Sequence, residues 1–283
     1  MTNVANDVAS VLFVPGSKPE RTSKALASAA RIVCVDLEDS VPASDKATAR
    51  AAALAALGAG DRRLALRING IKTRAGLEDL LALVNANIAP PLLLVPMVES
   101  AAEIAVVTAA FGGKAPAIVP LIETVQGLRA AHEIAAAPGV AAMMFGGGDF
   151  AAELGVALAW EPLLAARGAF ILACAGAGIG AIDVPFIGLD DQQGLIAETR
   201  AAKQLGFTGK AAIHPAQVDA INAVMLPTAE EIAEAQEAAQ AFAAANGAAV
   251  RFKGRMLEAP IMRRYRRILD QGSLMNMRSE HDA

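Results

Sequence analysis

The chain has 283 residues, 54% hydrophobic and 19% charged, enough apolar material for a large core and too little charge for a disordered protein. A net charge of −4, with no basic stripe of interleaved aromatics, argues against a nucleic-acid partner. The opening residues MTNVANDVAS lack a basic export region, and no uncharged apolar run reaches the length of about 18 residues that a membrane span needs, so a cytoplasmic protein is expected.

Residues 1–9 read as a loose tail. Val11–Pro15 has the length and character of a strand, and Ser17-Lys18-Pro19-Glu20 reads as a capping box opening a helix over 19–30. Ile32–Leu37 is a second strand, ending in Asp36, Glu38 and Asp39, with a helix from about Ser44 to Leu57. Leu64–Ile68 is a third, carrying Arg67, before a helix over 77–84. Leu92–Val95 leads to Glu99, and Ser100 with Glu103 forms a second capping box for a helix reaching Ala110.

Ile118–Ile122 runs into Glu123, and a helix covers 128–137. Ala141–Phe145 passes through Gly146-Gly147-Gly148 to Asp149, with helical sequence to about Ala175 interrupted near Trp160-Glu161-Pro162. Gly180–Val184 is the seventh strand, and a helix over 191–205 stops at Gly206. Ala211–Ile213 is the eighth, and Thr228 with Glu231 caps a final long helix ending near Asn246-Gly247.

Eight continuous apolar runs, each followed by a helical segment, predict a (β/α)8 barrel over residues 10–225, with 226–283 as a C-terminal helix and lid. A doubly wound nucleotide-binding fold requires a glycine-rich turn after its first strand, and Pro15-Gly16-Ser17 is not one. The AGAGIG stretch at 175–180 precedes a strand, so it reads as a loop.

Barrel enzymes carry their chemistry at the C-terminal ends of the strands. Here those ends gather Asp36, Glu38, Asp39, Glu99, Glu123, Asp149 and Asp183 with one arginine, Arg67. Carboxylates so placed repel one another unless a divalent cation lies among them, and an oxygen-only set points to Mg2+. Any single strand-end acid, Asp149 and Asp39 included, can instead cap the next helix. Gly146–Gly148 is either a bare turn or a set of N–H groups offered to an anion, and the adjacent Asp149 favours the anion. The three histidines, His132, His214 and His281, lack ligand spacing for zinc, and His214 beside Pro215 reads as structural. Cys34 and Cys174, the only cysteines, lie in apolar runs and read as buried thiols. No inferred strand ends in a lysine, since Lys210 falls at the N-terminal side of the eighth; that excludes a Schiff-base aldolase.

The motifs LFVPGSKPER (12–21), VDLEDSV (35–41), RING (67–70), VPMVES (95–100), LIET (121–124), FGGGDFAAELG (145–155) and GFTGKAAIHPAQ (206–217) resemble the citrate lyase β-subunit family of the HpcH/HpaI aldolase superfamily, whose cousins include malyl-CoA lyases. The resemblance implies Mg2+ on Glu123 and Asp149, and Arg67 on substrate oxygens. It also implies the keto-acid carboxylate on the backbone of Gly147 and Gly148, and a trimer. Asp36 is a further catalytic candidate, and Lys18 and Arg21 are candidates for CoA phosphates.

The family's lid motif corresponds to Gly254–Pro260, where Glu258 occupies the position of a proton-transferring aspartate. Met97 stands where many relatives have lysine. The implied activity is Claisen-type cleavage or formation of a 3-hydroxyacyl thioester, on CoA or on a carrier protein, with a keto acid as partner. A thioesterase or related aldolase, and a non-catalytic subunit of a lyase complex, are the alternatives.

Overall fold

The structure, a computed structural model, describes residues 8–279. The first seven residues of the expected tail, His281 and the end of the C-terminal segment lie outside the described residues. The chain divides into two compact units, with the boundary between Met225 and Leu226.

The first unit is a closed barrel of eight parallel strands in sequence order: β1 (Ser10–Pro15), β2 (Ile32–Asp36), β3 (Leu64–Arg67), β4 (Leu92–Val95), β5 (Ala117–Ile122), β6 (Ala142–Phe145), β7 (Gly180–Asp183) and β8 (Gly209–Ala212). Alternate residues face inward, so Ile32, Cys34, Ala65, Leu94, Leu121 and Met144 fill the barrel as a packed core. The same alternation carries Asp36, Arg67 and Glu123, two residues beyond Cys34, Ala65 and Leu121, toward the mouth. The strands are buried on both faces because helices cover the outside, which is why they read as unbroken apolar runs. Cys34 and Cys174 are free and buried; desolvation pushes the Cys174 thiol up to about 12 and Cys34 higher still.

The covering helices are α1 (Pro19–Leu26), α2 (Lys46–Gly58), α3 (Arg74–Asn85), α4 (Ala101–Ala110), α5 (Val125–Arg129), α6 (Ala131–Ala135), α7 (Gly147–Leu154), α8 (Trp160–Ala177), α9 (Gln192–Leu205) and α10 (Val218–Met225). Several boundaries differ from expectation for local reasons. Lys18, not Ser17, precedes α1, and no side chain caps it. Ser100 Oγ donates to Glu103 at 3.2 Å instead of accepting a backbone N–H, and Glu103 accepts the N–H of Glu99, not that of Ser100, so the expected box does not form. Helix α3 starts earlier than expected because Thr73 Oγ1 accepts the Gly76 N–H. One expected helix over 128–137 is two, α5 and α6, broken at Ala130. The break near Trp160 belongs to Gly155, which ends α7 in a left-handed conformation; Pro162 sits inside the first turn of α8, where its missing N–H costs nothing.

The second unit holds α11 (Ala229–Ala244), a hairpin of β9 (Val250–Phe252) and β10 (Arg255–Leu257), and α12 (Ala259–Ser279). Its N-terminal capping box is complete: Thr228 accepts from Glu231 N, and Glu231 accepts from Thr228 N. The hairpin and α12 correct the expectation that α11 is the last element. Lys253 and Gly254 both have positive φ, 45° and 79°, as a two-residue hairpin turn requires. Ala238, Leu257 and Met262 form a small core, and Tyr265 donates its hydroxyl to Glu234 at 2.7 Å. The run 262–269 is part of α12, with Met262 buried in that core.

Candidate active site

The barrel mouth opens on a cavity of ≈ 470 Å³. Its polar side is Asp36, Asp39, Arg67, Glu123 and Asp149, and the rest of its lining is mostly apolar.

Arg67 ends β3 and is held by three acids. Its Nε and Nη2 donate to the two oxygens of Asp36 at 2.7 and 2.8 Å, and Nη1 lies 2.8 Å from Glu38 and 3.5 Å from Asp39. The guanidinium also stands over the Phe13 ring, 5.1 Å from its centre. Asp36 further accepts the N–H groups of Glu38 and Ser40. Burial alone would raise the Asp36 carboxyl, but the bonds and charge of Arg67 outweigh it and hold the group below its usual range. Glu38 is pushed up to about 8, by burial first and then by its acidic neighbours, against the pull of Arg67.

Glu123 follows β5 and is buried. Its Oε2 accepts the backbone N–H of Met97 at 2.7 Å. Burial raises its carboxyl to about 7; the Met97 bond and Arg67 oppose this, while Asp149 and Asp39 add to it. Space for that side chain comes from Gly146: a Cβ there would overlap Glu123 Cγ and lie 2.7 Å from its Oε1.

Asp149 is in the first turn of α7, exposed at the cavity. Gly147, Gly148 and Asp149 begin that helix, so their N–H groups have no acceptor four residues back and are available to an anion. Gly148 lines the cavity, and nothing lies within 4 Å of where its Cβ would be.

The carboxylates of Glu123 and Asp149 suit a hard divalent cation. Mg2+ takes one or two carboxylates and fills its remaining positions with water and substrate oxygens. Among the described residues no group of three or more His, Cys, Asp or Glu side chains could hold a metal, which disfavours an all-protein cage and leaves this two-acid arrangement. A buried carboxylate beside a second acid, as Glu123 is beside Asp149, is an arrangement that a divalent cation compensates.

Two acids counted at the mouth lie elsewhere. Asp183 points out of the barrel, fully buried, pairing Arg167 at 3.0 Å and Lys210 at 2.7 Å. Strand β8 begins at Gly209, so Lys210 lies within it, also facing outward, and also bonds Glu198 and the Val184 carbonyl. Residue parity explains both: Ile182 and Ala211 are inward residues, so Asp183 and Lys210 are outward ones. Glu99 pairs with Lys72 at 2.6 Å and Thr124 at 2.9 Å, and those bonds lower its carboxyl.

Lys18, just before α1, and Arg21, in its first turn, are exposed at the mouth end of β1. His214 caps the turn Pro215–Gln217 with its Nδ1, a structural duty. Glu258 is exposed between β10 and α12, in the second unit. The Met97 N–H bond and the room that Gly146 leaves for the Glu123 side chain were not legible in the sequence, since neither is a side-chain functional group.

The family model described as HpcH/HpaI aldolase/citrate lyase matches residues 9–215, and a C-C bond lyase of the TIM-barrel fold matches 179–274. The chain is 35% identical over 301 aligned positions to an L-malyl-CoA/beta-methylmalyl-CoA lyase of Cereibacter sphaeroides, covering 94% of each. A (3S)-malyl-CoA thioesterase of the same species is 36% identical, over 86% of this chain and 85% of that one. The crystal structure of CitE from Mycobacterium tuberculosis with magnesium, acetoacetate and coenzyme A superimposes with a TM-score of 0.79 and 31% identity, covering 94% of this chain and 98% of that one. With these matches and a closed eight-stranded barrel, the chain belongs to the HpcH/HpaI aldolase/citrate lyase family.

Proposed function

We propose that the protein is a Mg2+-dependent carbon–carbon lyase that cleaves, or in reverse forms, a 3-hydroxyacyl-CoA thioester. The observation that carries this reading is that buried Glu123 and exposed Asp149 line one cavity with Arg67, where the N–H groups of α7 begin. In cleavage the bond between the hydroxyl-bearing carbon and the thioester's α-carbon breaks. Its electron pair stays on the α-carbon as a thioester enolate, the hydroxyl loses its proton to become a keto group, and the enolate takes up a proton.

Glu123 and Asp149 would hold Mg2+, which when bound supplies Lewis-acid polarisation of the keto-acid oxygens. The N–H groups of Gly147 and Gly148 receive the keto acid's carboxylate. Arg67, fixed by Asp36, faces the developing oxyanion with a guanidinium that needs no reorientation. Asp36 therefore acts through Arg67 as a positioning residue. Glu258 is assigned the proton at the α-carbon, on the resemblance of Gly254–Pro260 to the family's lid. Lys18 and Arg21, unpinned at the mouth end of β1, are assigned to CoA phosphates. The same resemblance supports a homo-oligomer, with a trimer as the expected state, and a division of labour between the barrel and residues 226–283.

A thioesterase is the second reading, favoured by the malyl-CoA thioesterase relative and by Glu258 where aspartate is usual. Incubation with Mg2+ and citryl-, malyl- or citramalyl-CoA separates the two. Keto acid plus acyl-CoA is the expected result. Free CoA with intact hydroxy acid would replace the lyase by the thioesterase, and no product with no bound metal would end both.

A further inference from the structure

Strands β7 and β8 pair only as far as Asp183 with Lys210. Beyond that point the chain forms two loops that line the cavity, through Val184, Pro185 and Ile187 after β7 and Ile213 after β8. Among the described residues, the backbone groups of 184–187 make no hydrogen bond to other backbone groups. Two buried side chains hold them instead. Lys210 donates to the Val184 carbonyl at 2.8 Å, and Gln217 Nε2 donates to the Phe186 carbonyl at 2.7 Å. The other end of the same amide, Gln217 Oε1, accepts the N–H groups of Ile213 and His214 at 2.9 and 3.3 Å. A carbonyl on one loop and N–H groups on the other need opposite partners, and an amide supplies both without a charge. Gln217 thus joins the two loops where the sheet no longer does, from a position outside the cavity lining.

We infer that Gln217 is a positioning residue of the candidate active site, fixing the cavity wall at 184–187 through its bond to Phe186. The inference rests on the lyase reading for what meets that wall, and on the hydrogen bonds alone for how the wall is held. Val184 carries the effect inward. Its Cγ1 stands 3.3 Å from where a Cβ of Gly147 would lie, so the loop packs against the first residue of α7, whose N–H groups face an anion. A wall that recedes leaves that end of the cavity loose, and a misplacement of about 1 Å is enough to weaken the hold on a reacting molecule. The capping box at His214 does not account for the residue's amide. That box uses only the Oε1 acceptor, which a glutamate provides equally well; the donor to Phe186 requires glutamine.

Gln217→Glu tests this, because it keeps the cap and turns the donor into an acceptor facing the Phe186 carbonyl. KM for the thioester cleaved best should rise about tenfold, with kcat within about twofold of the parent, the pattern of lost uniform binding. Methyl NMR should show the Val184 and Ile187 resonances broadened or split, while that of Ile32, on β2, stays as it is. Gln217→Met removes both halves of the amide and should add a lower melting temperature to the same rise in KM. An unchanged KM in Gln217→Glu, measured where the variant is folded, would leave Gln217 a turn cap only and overturn the inference. Unmoved Val184 and Ile187 methyls would do the same. If the parent protein cleaves no thioester the lyase reading falls, and the NMR comparison alone then decides whether Gln217 holds the wall.

Discussion

Met97 donates its backbone N–H to Glu123 Oε2 at 2.7 Å from a left-handed conformation, φ 56°. A non-glycine residue there costs on the order of 1–3 kcal/mol, a strain the surrounding barrel must support. The return is orientation: one oxygen of Glu123 is tied to the loop after β4, and the carboxylate is held at the cavity. The part of residue 97 that meets Glu123 is its backbone N–H.

On the proposed reading, Mg2+ binding at Glu123 displaces a proton, because burial holds that carboxyl at about 7. Apparent Mg2+ affinity should fall as pH drops through 7, approaching a tenfold loss per pH unit below it. The sign for stability is opposite in the metal-free protein. A raised carboxyl binds more protons folded than unfolded between 4.5 and about 7, so stability declines as pH rises across that window. Thermal melts at about pH 5.5 and about pH 8, with and without Mg2+, should show the larger metal-induced rise at the higher pH.

Gly146→Ala should displace Glu123 without unfolding the barrel, since the added methyl meets a side chain instead of backbone. Mg2+ binding should weaken by about 10- to 100-fold, the range seen when a ligand's support is lost. Calorimetry reads the affinity, and far-UV circular dichroism checks the fold.

Arg67→Lys keeps a cation and loses the two-bond clamp on Asp36. Turnover on the best thioester should drop about 10²-fold in kcat, with KM changed less, because the oriented guanidinium serves the developing charge. Equal loss in KM with kcat untouched would make Arg67 a ground-state binder.

Glu258→Gln removes an ionisable group while keeping its size. Loss of about 10² to 10⁴ in kcat is expected for a proton-transfer residue. Undiminished turnover removes Glu258 from the mechanism.

Lys210→Met leaves Asp183 and Glu198 without their shared cation inside the protein. Truncating one partner of a buried ion pair costs about 3–5 kcal/mol, to be read from urea unfolding. Mg2+ affinity of the folded protein should be unchanged, since Lys210 faces away from the mouth.

What the sequence by itself determined is the barrel and the placement of Glu123 and Asp149 at its mouth. Eight apolar runs separated by helical segments admit few other folds, and a carboxylate immediately after a buried strand, as at Glu123, is legible because its burial demands compensation. Only the tertiary structure decided which strand-end charges share the mouth. Asp183 and Lys210 look in sequence like neighbours of the site, yet strand parity and the closure of β8 against β7 and β1 turn them to the outer face. Backbone contributions, the Met97 N–H and the open space at Gly146, were hidden for the same physical reason. They arise where loops from different strands meet, and no local pattern of side chains records that meeting.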